Sequence, residues 1–369
     1  MSTKPTKPTK PTMPAKPATP ARGVSAWARR NSVPLALALS AAVAVVAISI
    51  ALTTPREPVV PPAPKAEQCS AAGRTIVHTA QGASSARYAP LVEDDTTFDA
   101  SQSIWRPDLS TYPINVDADA ARLCWVGGEV FGSIPSSMTW EEAHDFNQPC
   151  LRIVATDWMV VQGLRCDNTD DGIRPRESGT DAQDVSMTIR DTYLTRIHDD
   201  CLENDGVIGG LLVDNLWDGC NTGISARPSD DQGTFEQPPG EKLVLDRMMI
   251  GLWITPHEDG GPGENSLFKW SDSAHDVVIK CSMFKVDAVS LNGTEAMEIP
   301  GTVDDRACPN QPTTLVWLGD GTYPGRLPPG IRVTTDIEVW NAAVLDWRCR
   351  HDDPAVDCGG DSPTPAAPS

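Results

Sequence analysis

A chain of 369 residues with 50 acidic and 30 basic side chains carries a formal net charge of −20, and 40% of it is hydrophobic. That balance excludes nucleic acid as a partner, because phosphate binding needs clustered Lys and Arg, and the apolar content excludes a wholly disordered polypeptide. The charge is uneven, with a basic head and an acidic body.

Residues 1–31 open with KPTKPTKPT and hold Lys4, Lys7, Lys10, Lys16, Arg22, Arg29 and Arg30 but no acid. Such Lys/Pro/Thr-rich sequence predicts an extended, disordered segment. Residues 32–54, SVPLALALSAAVAVVAISIALTT, contain no charge. They are long enough to cross a bilayer as one helix, for which about 20 apolar residues suffice. The preceding cations keep the N-terminus cytoplasmic and send the body outside, as a single-pass membrane protein. The alternative is a cleaved signal peptide and a secreted body, but the segment is long for one and lacks a clear A-x-A site. Residues 55–66 form a Pro-rich linker.

All ten cysteines (69, 124, 150, 166, 201, 220, 281, 308, 349 and 358) follow the apolar segment. An even number in one compartment points to disulfides in an oxidising space. No C-x-x-C pair occurs, so no structural zinc is expected. Residues 67–351 have no sustained helical period; short β-rich runs recur between Gly, Asn and Asp. Three superimpose: VVQGLRCDNTDDGIRPR (160–176), TIRDTYLTRIHDDCLEND (188–205) and LLVDNLWDGCNTGISAR (211–227). Their matching apolar residues are Ile173, Leu202 and Ile224, with fainter copies near Leu123, Leu243 and Val277. An irregular repeat of strands and polar turns is what stacked coils produce. The expected fold is therefore all-β, a right-handed parallel β-helix (solenoid); a β-sandwich would not need the common register. Residues 331–350 are expected to end in a short helix closing the last coil, and 352–369 to be a disordered tail.

Stacked coils bring equivalent residues to about 4.8 Å. In this register Asp171, Asp200 and Thr222 form one ladder, with Asp170, Asp199 and Asn221 beside it. Four carboxylates then share one edge, with Arg174, Arg176, His198 and Arg227 nearby as candidate substrate-binding groups. Crowded carboxylates shift one another's pKa values, and a pair of unlike pKa is what glycoside hydrolysis requires. The bland reading is that Asp and Asn bond the turn backbone. His257-Glu258-Asp259 could contact a metal or glycan in a solvated loop, and Trp105, Trp140, Trp217, Trp253 and Trp270 could stack on sugars or fill the core. Asn292-Gly293-Thr294 matches a glycosylation sequon. No P-loop, G-x-S-x-G or dinucleotide fingerprint is present.

The order NTDDGI (168–173), HDDCLEN (198–204) and CNTGIS (220–225) resembles the polygalacturonase and rhamnogalacturonase glycosidases, right-handed β-helix enzymes of the pectin lyase-like kind. These carry NTD, DDC, C-x-G-H-G and R-I-K on successive coils. The resemblance implies Asp199 as general acid, and Asp200 with one of Asp170 or Asp171 as base; string matching picks Asp170 and the stacking register Asp171. It also implies a Cys201–Cys220 disulfide. Thr222 stands where the family has His. LFK (267–269) is the best counterpart of R-I-K and supplies only Lys269.

The expected function is extracytoplasmic chemistry on a polysaccharide or cell-surface glycan, by hydrolysis without a cofactor or resident metal. A second possibility is a polysaccharide lyase in which the Asp cluster holds Ca²⁺ and Arg174 or Arg227 is the base. A third is a non-catalytic envelope protein that binds glycan.

Overall fold

The computed structural model describes residues 92–358, apart from 110–111, 147, 178–184, 228–240, 259–264, 272–273 and 352, together with 69, 73–77, 79, 81–82 and 86–88. The expected cytoplasmic segment, membrane helix and linker lie outside these residues, as does 359–369. Among the described residues no helix is long and apolar enough to cross a membrane.

The body is predominantly β, and every strand pairing is parallel, an arrangement compatible with a parallel β-helix. One sheet runs from Arg74–Val77 through Leu123–Val126, Trp158–Gln162, Ser186–Arg190, Gly209–Val213 and Lys242–Asp246 to Thr302–Val303. A second runs from Gln81–Gly82 through Glu129–Phe131, Arg165–Asp167, Tyr193–Glu203, Leu216–Ala226, Met249–Leu252 and Met283–Val286 to Thr314–Trp317 and Arg332–Thr334. A third ladder contains Ile114–Asp117, Pro149–Ala155, Asp171–Glu177 and Ser266–Trp270. It joins the second sheet because Tyr193–Glu203 and Leu216–Ala226 run on around the corner between them.

Inward residues stack in columns. Val161, Ile189, Leu212, Leu245 and Ile279 line one face, Leu194, Trp217, Ile250, Phe284 and Leu315 another, and Leu151, Ile173, Leu202, Ile224 and Phe268 the third. All of them are buried. The register anticipated for Ile173, Leu202 and Ile224 is the one observed.

Each corner needs one sharp reversal, and the left-handed region supplies it. Between the first and second sheets it is taken successively by Gly127, Gly163, Asp191, Asp214, Arg247 and Cys281, all at positive φ. Each of the first five of these amides donates to a carbonyl of the next coil, such as Asp191 N to Val213 O.

Five disulfides engage all ten cysteines: 69–124, 150–166, 201–220, 281–308 and 349–358. They fit an oxidising, extracytoplasmic environment. The C-terminal helix departs from expectation. Helix α2, Ile337–Arg350, does not close the last coil but lies along the outer face of the second sheet. Trp340 and Trp347 are buried there against Val316, Met249, Leu216 and Tyr193. The chain also stays ordered beyond 351: Asp353 is buried against Arg348, and Cys358 is tied to Cys349.

Candidate functional site

The corner between the second sheet and the third ladder builds the site. Three coils turn it tightly, at Asn168, Arg196 and Gly219, all at positive φ. The flanking coils instead extend insertions from it, of which residues 132–146 and 253–258 are described. The first insertion contains helix α1, Trp140–His144, started by a capping box between Thr139 and Glu142. The second lies against it: Trp140 N donates to Pro256 O at 2.9 Å, Glu258 N to Glu141 Oε2 at 3.1 Å, and His257 Nδ1 sits 2.6 Å from Glu141 Oε1. The indole of Trp140 lies between the rings of His144 and His257, with centroids 4.7 and 5.3 Å away.

Beneath this roof the pairing of Tyr193–Glu203 with Leu216–Ala226 is irregular. Ile197 opposes Cys220 and Asp200 opposes Thr222, so His198 and Asp199 together face Asn221. This bulge re-aims the side chains at the turn, and Asp199 leaves the simple ladder expected for it. Its Oδ1 accepts from Trp140 Nε1 and Lys269 Nζ, each at 3.1 Å, and its Oδ2 accepts from His144 Nδ1 at 2.9 Å. Lys269 Nζ is also 3.0 Å from Asp200 Oδ1, an ion pair without hydrogen-bond alignment. Carboxylate oxygens of Asp171, Asp199 and Asp200 lie within 4.8 Å of one another.

Asp199, Asp200 and Asp170 differ in protonation. Burial works to raise the pKa of Asp199, but Lys269, His144 and Trp140 outweigh it and hold the group below the usual carboxylate range. Asp200 has only Lys269 against burial and its neighbours Asp199 and Asp171, and is pushed up to about 8. Asp170 is buried with neither oxygen partnered among the described residues. Burial, with Asp171 and Asp199, pushes it up to about 10. Asp171 is engaged by Arg174 Nη2 at 2.5 Å and accepts from Asp200 N at 3.2 Å. Asn221 and Thr222 are also buried with unpartnered polar side chains. Buried polar atoms are seldom left unpaired in native proteins, and a group of them at one corner calls for an explanation.

The remaining sequence candidates divide. Lys269 is at the centre of the cluster. Arg174 is locked between Asp171 and Glu203, and Arg176 between Glu203 and Asp205. Burial works to lower the pKa of Arg174, and Asp171 and Glu203 more than reverse this; a guanidinium so held is no base. His198 turns away from the Asp cluster. Its Nε2 meets Asn168 Oδ1 at 2.9 Å, its ring packs edge-on to Trp253, and burial with Arg196 pushes its pKa down to about 4. Arg227 is exposed and lines a groove of about 520 Å³ with Phe268, Lys269, Trp270, Asn292 and Arg326. Lys269 therefore belongs to both the groove and the Asp cluster. Trp105 and Trp217 are core residues. Cys201 and Cys220, 5.5 Å apart at Cα, are disulfide-bonded directly beside Asp200. Sequence reasoning missed His144, which lies in an insertion with no repeat signal.

Comparison with known proteins finds no matching family model, no matching curated protein and no matching solved structure.

Proposed function

We propose that this chain is a membrane-anchored, extracytoplasmic right-handed parallel β-helix, of the pectin lyase-like kind, that hydrolyses glycosidic bonds in a polysaccharide or cell-surface glycan. One observation carries the reading: a single ammonium, Lys269, lies between two adjacent buried carboxyl groups, one with three donors and one with only that ammonium. Carboxyl groups driven apart in pKa are the acid–base pair such chemistry uses. Here Asp200 carries the proton and Asp199 is ionised, the reverse of the roles implied by resemblance. Asp170, protonated through neutral pH, is unable to act as base. The groove beside Lys269 offers Trp270, Arg227 and Asn292 to a saccharide.

A lyase reading is weaker, because Arg174 is held between Asp171 and Glu203 and Lys269 supplies the positive charge a calcium ion would bring. A non-catalytic glycan-binding role has one observation in its favour: Asp170, Asp171, Asp199 and Asp200 are each at most 5% exposed.

The test incubates the full chain with a panel of plant and bacterial polysaccharides, with and without Ca²⁺, reading reducing ends and ultraviolet absorbance. Hydrolysis predicts new reducing ends, no unsaturated product, and turnover lower by about 100-fold or more in Asp200→Asn. A calcium-dependent absorbing product would transfer the site to the lyases. Glycan binding without product, unchanged in the Asp199→Asn/Asp200→Asn variant, would make the protein a binder.

A further inference from the structure

Asp199 has the most donors of the four carboxyl groups, and they engage both of its oxygens. The residue is buried beneath Trp140 and His144. His144 is its opposite: the side chain is 49% exposed. An ionised carboxylate can only accept, so the 2.9 Å contact fixes the proton on Nδ1 and leaves the Nε2 lone pair free. No described residue bonds Nε2. The ring is positioned by more than this hydrogen bond. It stacks on Trp140 at an interplanar angle of 14°, and Trp140 is pinned by Asp199, by Pro256 O and by the ring of His257. A base with one nitrogen oriented by a buried carboxylate, the other unbonded among the described residues and half of the side chain exposed, is the arrangement that general-base catalysis calls for.

We propose that His144 is the base that activates water at this site, with Asp199 as its buried positioning carboxylate. The proposal rests on the hydrolase reading above. In the step, His144 Nε2 takes a proton from water as the water oxygen bonds to the anomeric carbon. The bond from that carbon to the glycosidic oxygen breaks, and the departing oxygen takes the proton held by Asp200. Solvent then returns one proton to Asp200 and removes one from His144, restoring both. The groups facing the imidazole are Asp199 and Asp171 from the strands Tyr193–Glu203 and Asp171–Glu177, Lys269 from Ser266–Trp270, and, across Trp140, His257 with its partner Glu141. The hydrogen bond to Asp199 raises the pKa of His144, against burial and Lys269.

The experiment uses the full chain, native and as His144→Gln, His144→Ala and Asp199→Asn, on whichever glycan of the panel yields product. His144→Gln is expected to lose about 100-fold or more in kcat with KM little changed. It should also lose the acid limb of the pH–rate profile, and added imidazole should restore turnover to His144→Ala. Among the six histidines, the imidazole resonance absent from His144→Gln should titrate above the ordinary value of about 6.5 and move down in Asp199→Asn. A His144→Gln chain with native turnover and pH profile would overturn the proposal and leave the hydrolase reading standing. A loss of activity that imidazole does not restore, with the acid limb unmoved, assigns His144 to structure and also overturns it. No product from the native chain on any glycan brings down both.

Discussion

Lys269 is one ammonium between two buried carboxyl groups, and the balance of charge leaves the second of them holding a proton. The consequence is a pH-dependent stability. The Asp200 pKa lies near 8 in the folded chain, against an ordinary 3.8. Between those values the unfolded chain releases the proton and the folded chain keeps it, so stability falls as pH rises across the window, at up to about 1.4 kcal/mol per unit. Asn has no proton to lose. Asp200→Asn should therefore match the native chain most closely near pH 4 and gain on it toward pH 8, measured by urea midpoints at several pH values. A difference that shrinks with rising pH would mean that Asp200 is ionised in the native fold. Lys269→Met should act in the other direction at neutral pH, costing about 3–5 kcal/mol by leaving Asp199 buried without its counter-charge, read in the same denaturation series. The sequence made the crowding of the four Asp residues legible, because the repeat aligns them. It did not reveal which is ionised, because that depends on Trp140 and His144, 59 and 55 residues from Asp199 along the chain.

Corners and the outer helix are the elements that make the stack of strands specific. Arg247 is half exposed, sits at φ 53° in a corner turn, and among the described residues its guanidinium pairs with the adjacent Asp246. Arg247 already bears the left-handed cost of a residue with a Cβ, about 1–2 kcal/mol, so Arg247→Gly should leave stability unchanged or raise it, whereas the β-branched Arg247→Val should lower it; equal losses in denaturation would place the cost in the side chain instead. Helix α2 has 14 residues and is about 21 Å long. From Thr314–Trp317 back to Tyr193–Glu203 there are four steps between strands, about 19 Å, so the helix matches the span it covers. Trp347 fixes its far end, buried on Tyr193 and donating Nε1 to Asp214 O at 3.0 Å. Trp347→Ala should lower stability by about 3–5 kcal/mol and expose the second sheet to protease. Strand positions were readable because inward apolar residues recur with the coil. The bulge at His198–Asp199 was not, because an extra residue leaves the flanking apolar pattern intact. Helix α2 was readable as a helix, but nothing in its own sequence says which face of the stack it covers.

Across the whole molecule, each coil touches mainly its neighbours, so stability is closer to a sum of local terms than to one shared core. Disulfides add stability in the same local way, and comparing two of them tests the principle. Cys201–Cys220 closes 19 residues and Cys281–Cys308 closes 27. Chain entropy makes the two nearly equal, at about 3–4 kcal/mol each. Their surroundings are not equal. Cys201 and Cys220 lie in the core immediately after Asp200 and before Asn221, bracketing the bulge, while Cys281 occupies an outer corner on a later coil. Replacing either pair by Ser should therefore lower the urea midpoint by a similar amount. Only loss of 201–220 should raise amide exchange across residues 197–203 and move the His144 resonance, since only that bridge holds the strand carrying Asp199 against its neighbour. If loss of 281–308 loosened the same amides equally, the coils would behave as one cooperative block, and α2, which lies across the strands from 193 to 317, would be the element transmitting the change.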